Sequence, residues 1–161
     1  MPWAVLDVDG VLADVRHRLR HVRSRPKDWD AFFADAPDDA VLTEGLTRAQ
    51  ELSAEHDIVY LTGRPERCRQ DTLAWLAEHG FPQGSLVMRA DTDRRPARLF
   101  KAGQLRRLAD QQEVAVVVDD DYAVVDVLRT EGYNVEHATW MDESEPQQDS
   151  LFEAQEREGR T

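Results

Sequence analysis

The sequence predicts a three-layer α/β fold, in which one parallel β-sheet carries helices on both of its faces. Apolar segments of strand length alternate with segments of helical periodicity through the first 140 residues. Three of the apolar segments run directly into polar or acidic residues, as buried parallel strands do where they open into a crevice. The length of 161 residues and the apolar content of 41% suffice for one domain with its own core.

The first half of the chain predicts one strand, several short helices and a second strand. Residues 3–9 form the first strand, because an apolar run there leads into two acids. The basic residues 16–27 predict a short helix that Pro26 breaks. Asp28 then caps a helix that carries three aromatic residues. Residues 58–61 form the second strand, and the helix before it is indicated by the spacing of Leu42, Leu46, Ala49 and Leu52.

The second half alternates helix and strand more regularly. Pro65 suits the first turn of a helix that stops at Gly80. Acids directly follow the apolar run at residues 114–118. The last apolar run, at residues 133–137, is short and predicts an edge strand. The predicted strands cover residues 85–88, 114–118 and 133–137, and the predicted helices cover residues 97–110 and 122–130.

The chain divides by composition into a domain over residues 1–140 and an acidic tail over residues 141–161. The tail has little apolar content apart from Leu151 and Phe152, so we expect it to be mobile. Its excess of acids could bind a protein partner.

The formal net charge of −12 opposes a nucleic-acid partner, but the region from Arg16 to Lys27 contains no acid at all. A local field of this kind can steer an anionic ligand.

Composition also sets where the protein is expected to work. No apolar run approaches the roughly 20 residues needed to cross a bilayer, and no signal-peptide pattern opens the chain. Cys68 is the only cysteine, so an internal disulfide is impossible. We therefore expect a cytoplasmic protein with no membrane partner.

The candidate site residues lie where the predicted strands end. Asp7, Asp9 and Gly10 end the first strand, and Thr62-Gly63-Arg64 and Asp119-Asp120-Asp121 end two others. Open α/β sheets bind ligands at the carboxyl ends of their strands. Paired carboxylates repel one another unless a cation lies between them, so the pattern indicates a hard divalent metal ion.

Together with Lys101, these motifs stand in the chain order Asp-x-Asp, Thr, Lys and Asp-Asp. That ordered set resembles the haloacid dehalogenase (HAD) superfamily of phosphotransferases over about residues 3–140. The resemblance implies a HAD-like, Rossmann-like sheet. The stretches where the superfamily inserts its cap domains, residues 12–57 and 65–100, are short here. We therefore expect a capless or minimally capped protein with an open crevice.

The resemblance also implies catalytic roles. Asp7 would attack the phosphorus of a phosphomonoester and form an aspartyl-phosphate. Asp9 would protonate the leaving oxygen and later take a proton from water. Thr62 would hydrogen-bond a phosphate oxygen, and Lys101 would neutralise the phosphoryl group and hold Asp7.

The implied metal ion is Mg²⁺. Its ligands would be the Asp7 carboxylate, the main-chain carbonyl of Asp9 and an acid of the Asp119-Asp120 pair, with the choice within that pair left open. Gly10 and Gly63 would let main-chain N–H groups approach the phosphate.

Within the superfamily, the chain is most similar to the 3′-phosphatase domain of polynucleotide kinases and its stand-alone bacterial relatives. Arg18, eleven residues after Asp7, and Arg64 match substrate-contacting arginines of that family. The similarity implies hydrolysis of nucleic-acid 3′-phosphate ends, with the basic residues 16–27 on the strand. The family usually has an acid where this chain has Ala97 and an arginine where it has Asp121. We expect Asp121 to cap the helix that follows.

Two alternatives stay open at this stage. The 5′(3′)-deoxyribonucleotidases share the pattern Asp-x-Asp-Gly-Val-Leu-Ala-Asp of residues 7–14 and act on mononucleotides. A HAD domain that has lost catalysis could instead serve as a partner-binding module, using its basic residues or its acidic tail.

Overall fold

The computed structural model describes residues 1–141 and 145–161 and has a five-stranded parallel sheet at its centre. The strands are β1 (Trp3–Leu6), β2 (Ala13–Asp14), β3 (Ala40–Val41), β4 (Asp57–Pro65), β5 (Gly84–Arg89), β6 (Val114–Asp119) and β7 (Val135–His137). The order in the sheet is β5-β4-β1-β6-β7, and each neighbouring pair is parallel. The strands β2 and β3 form a separate antiparallel pair that the sequence did not predict.

Helices cover both faces of the sheet, which confirms the predicted fold class. Alternate residues of β1 divide between the two faces, with Leu6 in the cluster that α3 and α4 cover and Val5 in the cluster that α5 and α6 cover. The helices are α1 (Arg20–Arg23), α2 (Trp29–Ala34), α3 (Thr43–Ser53), α4 (Arg69–Glu78), α5 (Ala97–Ala109), α6 (Tyr122–Thr130) and α7 (Glu145–Phe152).

The segments between the motifs hold only small elements. Between β1 and β4 lie the β2–β3 pair and the helices α1 to α3, and a third apolar cluster packs α2 beside the sheet edge. Phe32 and Phe33 of α2 are buried in this cluster, so these aromatic residues pack rather than face solvent. The described residues therefore carry no separate cap domain.

The described part of the acidic tail is helical and packs on the rest of the fold, and its mobility stays a prediction. Helix α7 continues into one π-helical turn (Glu153–Arg157), and Leu151 and Ala154 are buried. Leu151 joins the third apolar cluster, and the ring of Phe152 stacks on Tyr122. Few apolar residues suffice here because Leu151 meets an existing apolar surface. The part of the acidic tail at residues 142–144 lies outside the described residues.

None of the described helices is both long and apolar enough to cross a membrane.

Candidate active site

The strand ends that carry the predicted motifs meet at one edge of the sheet. Strand β1 lies between β4 and β6, with Leu6 beside Tyr60 on one side and Val118 on the other. The next residues along these strands are therefore neighbours, and the Asp7 N–H donates to the carbonyl of Val118 at 3.0 Å. This register brings Asp7, Thr62 and Asp119 to the same edge, as parallel strands require.

Lys101 reaches this edge from α5. Its Nζ lies 3.0 Å from Oδ1 of Asp7 and 2.6 Å from Oδ2 of Asp119, and its side chain is buried. Burial disfavours the ammonium ion, but Asp119 and Asp7 outweigh it and hold the pKa of Lys101 above its usual range. Two carboxylates thus orient Lys101. The lysine is therefore held in place although this chain has Ala97 where the family usually has an acid.

Three acids form a group that fits a hard divalent cation. One carboxylate oxygen from each of Asp7, Asp119 and Asp120 lies within 4.8 Å of the others. Burial, followed by the charge of Asp119, raises the pKa of Asp7 to about 7 despite Lys101. Burial and the charges of Asp7 and Asp119 also raise the pKa of Asp120. One lysine does not balance two buried acids and a half-buried one, and oxygen ligands of this kind suit Mg²⁺.

Gly10 makes room for one of these acids. Its φ of 81° lies in the left-handed region, and a side chain placed on it would collide with the carboxylate of Asp120. The glycine after the first motif is therefore required by both backbone conformation and space.

Asp9 lies outside the three-acid group and pairs with arginines. Its Oδ1 accepts from Arg18 Nη2 at 2.9 Å and from Arg64 at 2.6 and 2.9 Å. Burial opposes ionisation, but Arg64 and Arg18 hold the pKa of Asp9 below its usual range. The two arginines that the family resemblance singled out are thus both next to Asp9, and both are fully buried.

Asp39 completes this network and was not identified from the sequence. Its carboxylate accepts from Arg18 at 2.9 and 3.0 Å and from Arg64 at 3.1 Å. Its carbonyl also accepts from the indole of Trp75 at 2.9 Å. Asp39 lies in a polar stretch before β3 with no motif around it. The only available signal was that two buried arginines beside a single acid, Asp9, need a second acid to balance their charge.

Thr62 and Gly63 lie within the same buried edge. The Thr62 hydroxyl accepts from the main-chain N–H of Arg64 at 3.2 Å, and the Gly63 carbonyl accepts from Arg89 Nε at 3.0 Å. Arg89 is buried, and its Nη2 has no hydrogen-bond partner among the described residues. Burial lowers the pKa of Arg89 to about 10.

The basic residues 16–27 are mostly paired with acids. Apart from Arg18, which lies in the site, the pairs are Arg16 with Asp14, His17 with Asp39, Arg20 and His21 with Asp35, and Lys27 with Glu153 and Glu158. Much of the positive field expected from the sequence is therefore neutralised within the chain.

Asp121 caps α6, since its carboxylate accepts from the N–H of Ala123 at 2.9 Å. Burial and a hydrogen bond with Glu156 raise its pKa to about 9. Its second oxygen, Oδ2, accepts no hydrogen bond from the described residues. Asp121 therefore serves the helix N-terminus rather than the three-acid group.

Comparison with known families identifies the same relationship. The family model described as the polynucleotide kinase PNKP phosphatase domain matches residues 2–141. Among curated proteins, no significant match is found.

Solved structures share the fold. A chain in the structure of the Pnkp1/Rnl/Hen1 RNA repair complex superposes with a TM-score of 0.69 at 22% identity, over 85% of this chain and 42% of that one. The class C acid phosphatase from Bacillus anthracis gives 0.62 at 17% identity, over 86% and 67%. A haloacid dehalogenase-like hydrolase from Streptococcus pneumoniae gives 0.62 at 16%, over 93% and 90%. The chain thus spans less than half of its counterpart in the repair complex.

Proposed function

Because the chain belongs to the family of polynucleotide kinase PNKP phosphatase domains, and is therefore a phosphatase of the HAD type, we propose that it removes 3′-phosphates from nucleic-acid ends through an aspartyl-phosphate on Asp7, with Mg²⁺ bound. One observation carries the proposal. The Asp7 carboxylate contacts the Lys101 ammonium and belongs to a group of three acids that fits a divalent cation. This arrangement supports a nucleophile that must approach an anionic phosphate.

The first step transfers the phosphoryl group to the chain. An Asp7 carboxylate oxygen bonds to phosphorus while the bond from phosphorus to the leaving oxygen breaks, and Asp9 supplies the proton that oxygen needs. Lys101 and the Thr62 hydroxyl stabilise charge on the phosphoryl oxygens. In the second step water attacks phosphorus, its proton passes to Asp9, and Asp7 leaves as a carboxylate with inorganic phosphate as the product.

The Mg²⁺ ion would be held by Asp7, Asp119 and Asp120, with the main-chain carbonyl of Asp9 as a further proposed ligand. When bound, it would offset the charge of these acids and of the phosphate oxygens. The raised pKa values of Asp7 and Asp120 fit this role, because a bound cation favours the ionised form of the carboxylates that ligate it.

Asp9 must gain a proton before it can act as an acid, yet Arg18 and Arg64 favour its ionised form. We infer that the substrate phosphate draws these guanidinium groups toward itself. Arginine forms strong paired hydrogen bonds with phosphate. As the arginines turn from Asp9, its pKa rises, and Asp9 takes up a proton from water that it then donates to the leaving oxygen.

A 3′-phosphate end is favoured over a mononucleotide by the family to which the chain belongs. The relatives in an RNA repair complex make an RNA 3′ end the first substrate to test. The mononucleotide activity of a 5′(3′)-deoxyribonucleotidase is the second candidate, and the shared motif of residues 7–14 favours it. Cytoplasmic location, and a protein partner for the acidic tail, stay predictions.

The experiment compares hydrolysis of a generic aryl phosphate, 3′-phosphorylated RNA and DNA oligonucleotides, and nucleoside monophosphates, each with and without Mg²⁺. Asp7→Asn should abolish all activity, whereas Asp57→Asn, at an exposed position beside the N-terminus, should not. Oligonucleotide hydrolysis should weaken as salt rises. Salt-insensitive preference for mononucleotides would transfer the assignment to the second candidate, and inactivity on every substrate would refute both.

A further inference from the structure

The reacting carboxylates are closed from solvent, although the described residues include no cap domain. The exposed fractions of Asp7, Asp9 and Asp119 are 4%, 1% and 2%. A phosphate ester cannot reach Asp7 in this arrangement, because attack requires the phosphorus to lie within about 3.5 Å of the carboxylate. Residues 149–161, which we call the 149–161 segment, supply part of this cover, at Asp9, Gly63 and Asp120.

The 149–161 segment contacts the catalytic centre at two points. The hydroxyl of Thr161 donates to Oδ2 of Asp9, and its main-chain carbonyl lies directly against Gly63, where any side chain would collide with it. The side-chain amide of Gln155 lies 3.4 and 3.5 Å from the two carboxylate oxygens of Asp120. Thr161 and Gln155 are both buried.

Basic residues around the site hold the acids of this segment. Lys27 Nζ lies 3.1 Å from Glu153 and 2.6 Å from Glu158. On the other side, Glu156 accepts from the main-chain N–H of Arg98 at 3.1 Å and from its guanidinium at 2.7 Å. The carboxylate of Glu156 thus lies at the N-terminus of α5, where negative charge is favoured.

A cation of the segment completes the attachment. The guanidinium of Arg160 lies 4.9 Å from the ring centroid of Trp29, and Lys27 lies 5.9 Å from the same ring. The segment is therefore fixed at both ends of its path, at the apolar cluster through Leu151 and at Trp29 through Arg160.

We propose that the 149–161 segment is an internal inhibitor, which competes with the phosphate ester for the active site and leaves before the substrate binds. The inference rests on the proposed function, because it takes Asp7 and Asp9 as the reacting groups. Thr161 occupies the oxygen of Asp9 that would serve the leaving group. Glu153, Glu156 and Glu158 neutralise cations at the mouth of the site, as the phosphates of a bound strand would.

The charge of the segment explains why its closed position can be reversed. It carries Asp149 and three glutamates against Arg157 and Arg160, so it brings a net charge of −2 to an edge already rich in acids. The charged part of its attachment consists of a few ion pairs. The pairs of Lys27 with Glu153 and Glu158 are partly exposed, and Arg98 is partly exposed opposite the buried Glu156. Partly exposed pairs contribute little individually. Substrate phosphates can replace the carboxylates on the same cations.

The test removes the attachment without touching the reacting groups. In the full chain, the double variant Glu153→Gln/Glu158→Gln frees Lys27, and Glu55→Gln/Glu78→Gln, at two exposed sites away from the cleft, is the charge-matched control. The KM for p-nitrophenyl phosphate should fall about tenfold in the first variant, with kcat within about twofold, because closure reduces the competent fraction. Hydrogen exchange in residues 149–161 should accelerate in parallel.

Two further variants and readouts make the result decisive. Thr161→Val removes only the hydroxyl at Asp9 and should lower KM a few-fold; circular dichroism verifies folding. A higher KM or a lower kcat in the freed variants would overturn the inference, since the segment would then complete the site. Faster exchange with unchanged kinetics, or unchanged exchange, would overturn it as well.

Failure of the proposed function gives a different pattern. If the wild-type chain and every variant are inactive on all phosphate esters, calorimetry with Mg²⁺ and inorganic phosphate still compares the closed and freed site. Tighter phosphate binding by Glu153→Gln/Glu158→Gln than by the control would support closure by the segment although the enzyme assignment had failed. Equal binding would overturn the inference itself.

Discussion

Replacing Asp39 with asparagine tests whether this residue positions the two arginines beside Asp9. The carboxylate of Asp39 accepts from both Arg18 and Arg64, at 2.9 to 3.1 Å, and all three side chains are buried. Two buried cations then face two buried anions. Asparagine keeps the shape and one oxygen acceptor but removes the charge, so the network is left with one uncompensated positive charge.

The expected cost follows from that charge imbalance. Breaking a buried ion pair by removing one partner costs about 3–5 kcal/mol, and the hydrogen bond that the asparagine oxygen can still accept recovers about 1 kcal/mol. The free energy of unfolding should therefore fall by about 3 kcal/mol. With a urea m-value of about 2 kcal/mol/M, the unfolding midpoint moves down by about 1.5 M.

Activity should fall with stability, because the arginines lose their position. A displacement of about 1 Å in a catalytic group can cost roughly 100-fold in rate, so we expect kcat/KM to drop by about 10- to 100-fold. The loss should persist at low urea and low temperature, where the variant stays folded. Asp38→Asn is the matched control, since Asp38 is exposed and adjacent, and it should leave both quantities unchanged.

A double-mutant cycle gives the result that would refute this reasoning. Arg18→Gln with Asp39→Asn restores one cation, Arg64, to one anion, Asp9. The double variant should be less destabilised than the sum of the single variants by about 1–3 kcal/mol. If the two costs simply add, or if Asp39→Asn unfolds at the same urea concentration as Asp38→Asn, Asp39 is not the shared partner of the arginines.

Further predictions concern the metal group and its surroundings. Since the pKa of Asp7 is raised to about 7, the acid must lose a proton to bind metal, so calorimetric Mg²⁺ affinity should fall about tenfold from pH 8 to pH 6, with proton release. For the same reason the metal-free chain, whose folded state holds this proton more tightly, should lose stability in urea as pH rises from about 4 to about 7, and Mg²⁺ should restore it at pH 8. Lys101→Met should lower kcat about 100-fold or more in a steady-state assay, because two buried carboxylates lose their cation. Gly10→Ala should weaken Mg²⁺ binding and cost more than the roughly 1–2 kcal/mol of left-handed backbone strain, whereas Gly80→Ala, with φ of 76° and open space around it, should cost that strain alone.

Each of these has a contradicting outcome. Mg²⁺ affinity that does not change between pH 6 and pH 8 would mean that no carboxyl group with a raised pKa belongs to the metal site. Normal turnover by Lys101→Met would remove the lysine from the mechanism. Equal destabilisation and equal Mg²⁺ affinity for the two glycine variants would show that the contact between Gly10 and Asp120 is unimportant.

The sequence was sufficient for the fold and for the residues that strand ends deliver. Apolar runs ending at Asp7, Thr62 and Asp119 predicted three buried parallel strands, and parallel strands place their carboxyl ends at one edge. The helix that carries Lys101 was predicted from the periodicity of residues 97–110, and the place of Lys101 in the site came from the order of the motifs. These features are local, because each depends on a few consecutive residues and on the periodicity of one element.

Other features required the tertiary structure. Asp39 lies 21 residues from Arg18 and 25 from Arg64 in sequence, and no periodicity relates a buried acid to its arginines over such distances. The 149–161 segment reads as acidic and weakly apolar, which favours mobility when it is considered alone. It packs because Lys27, Arg98 and an apolar cluster elsewhere in the fold present complementary charge and surface. Long-range pairing of this kind exists only after the chain has folded, which is why the sheet could be predicted from the sequence and the covered site could not.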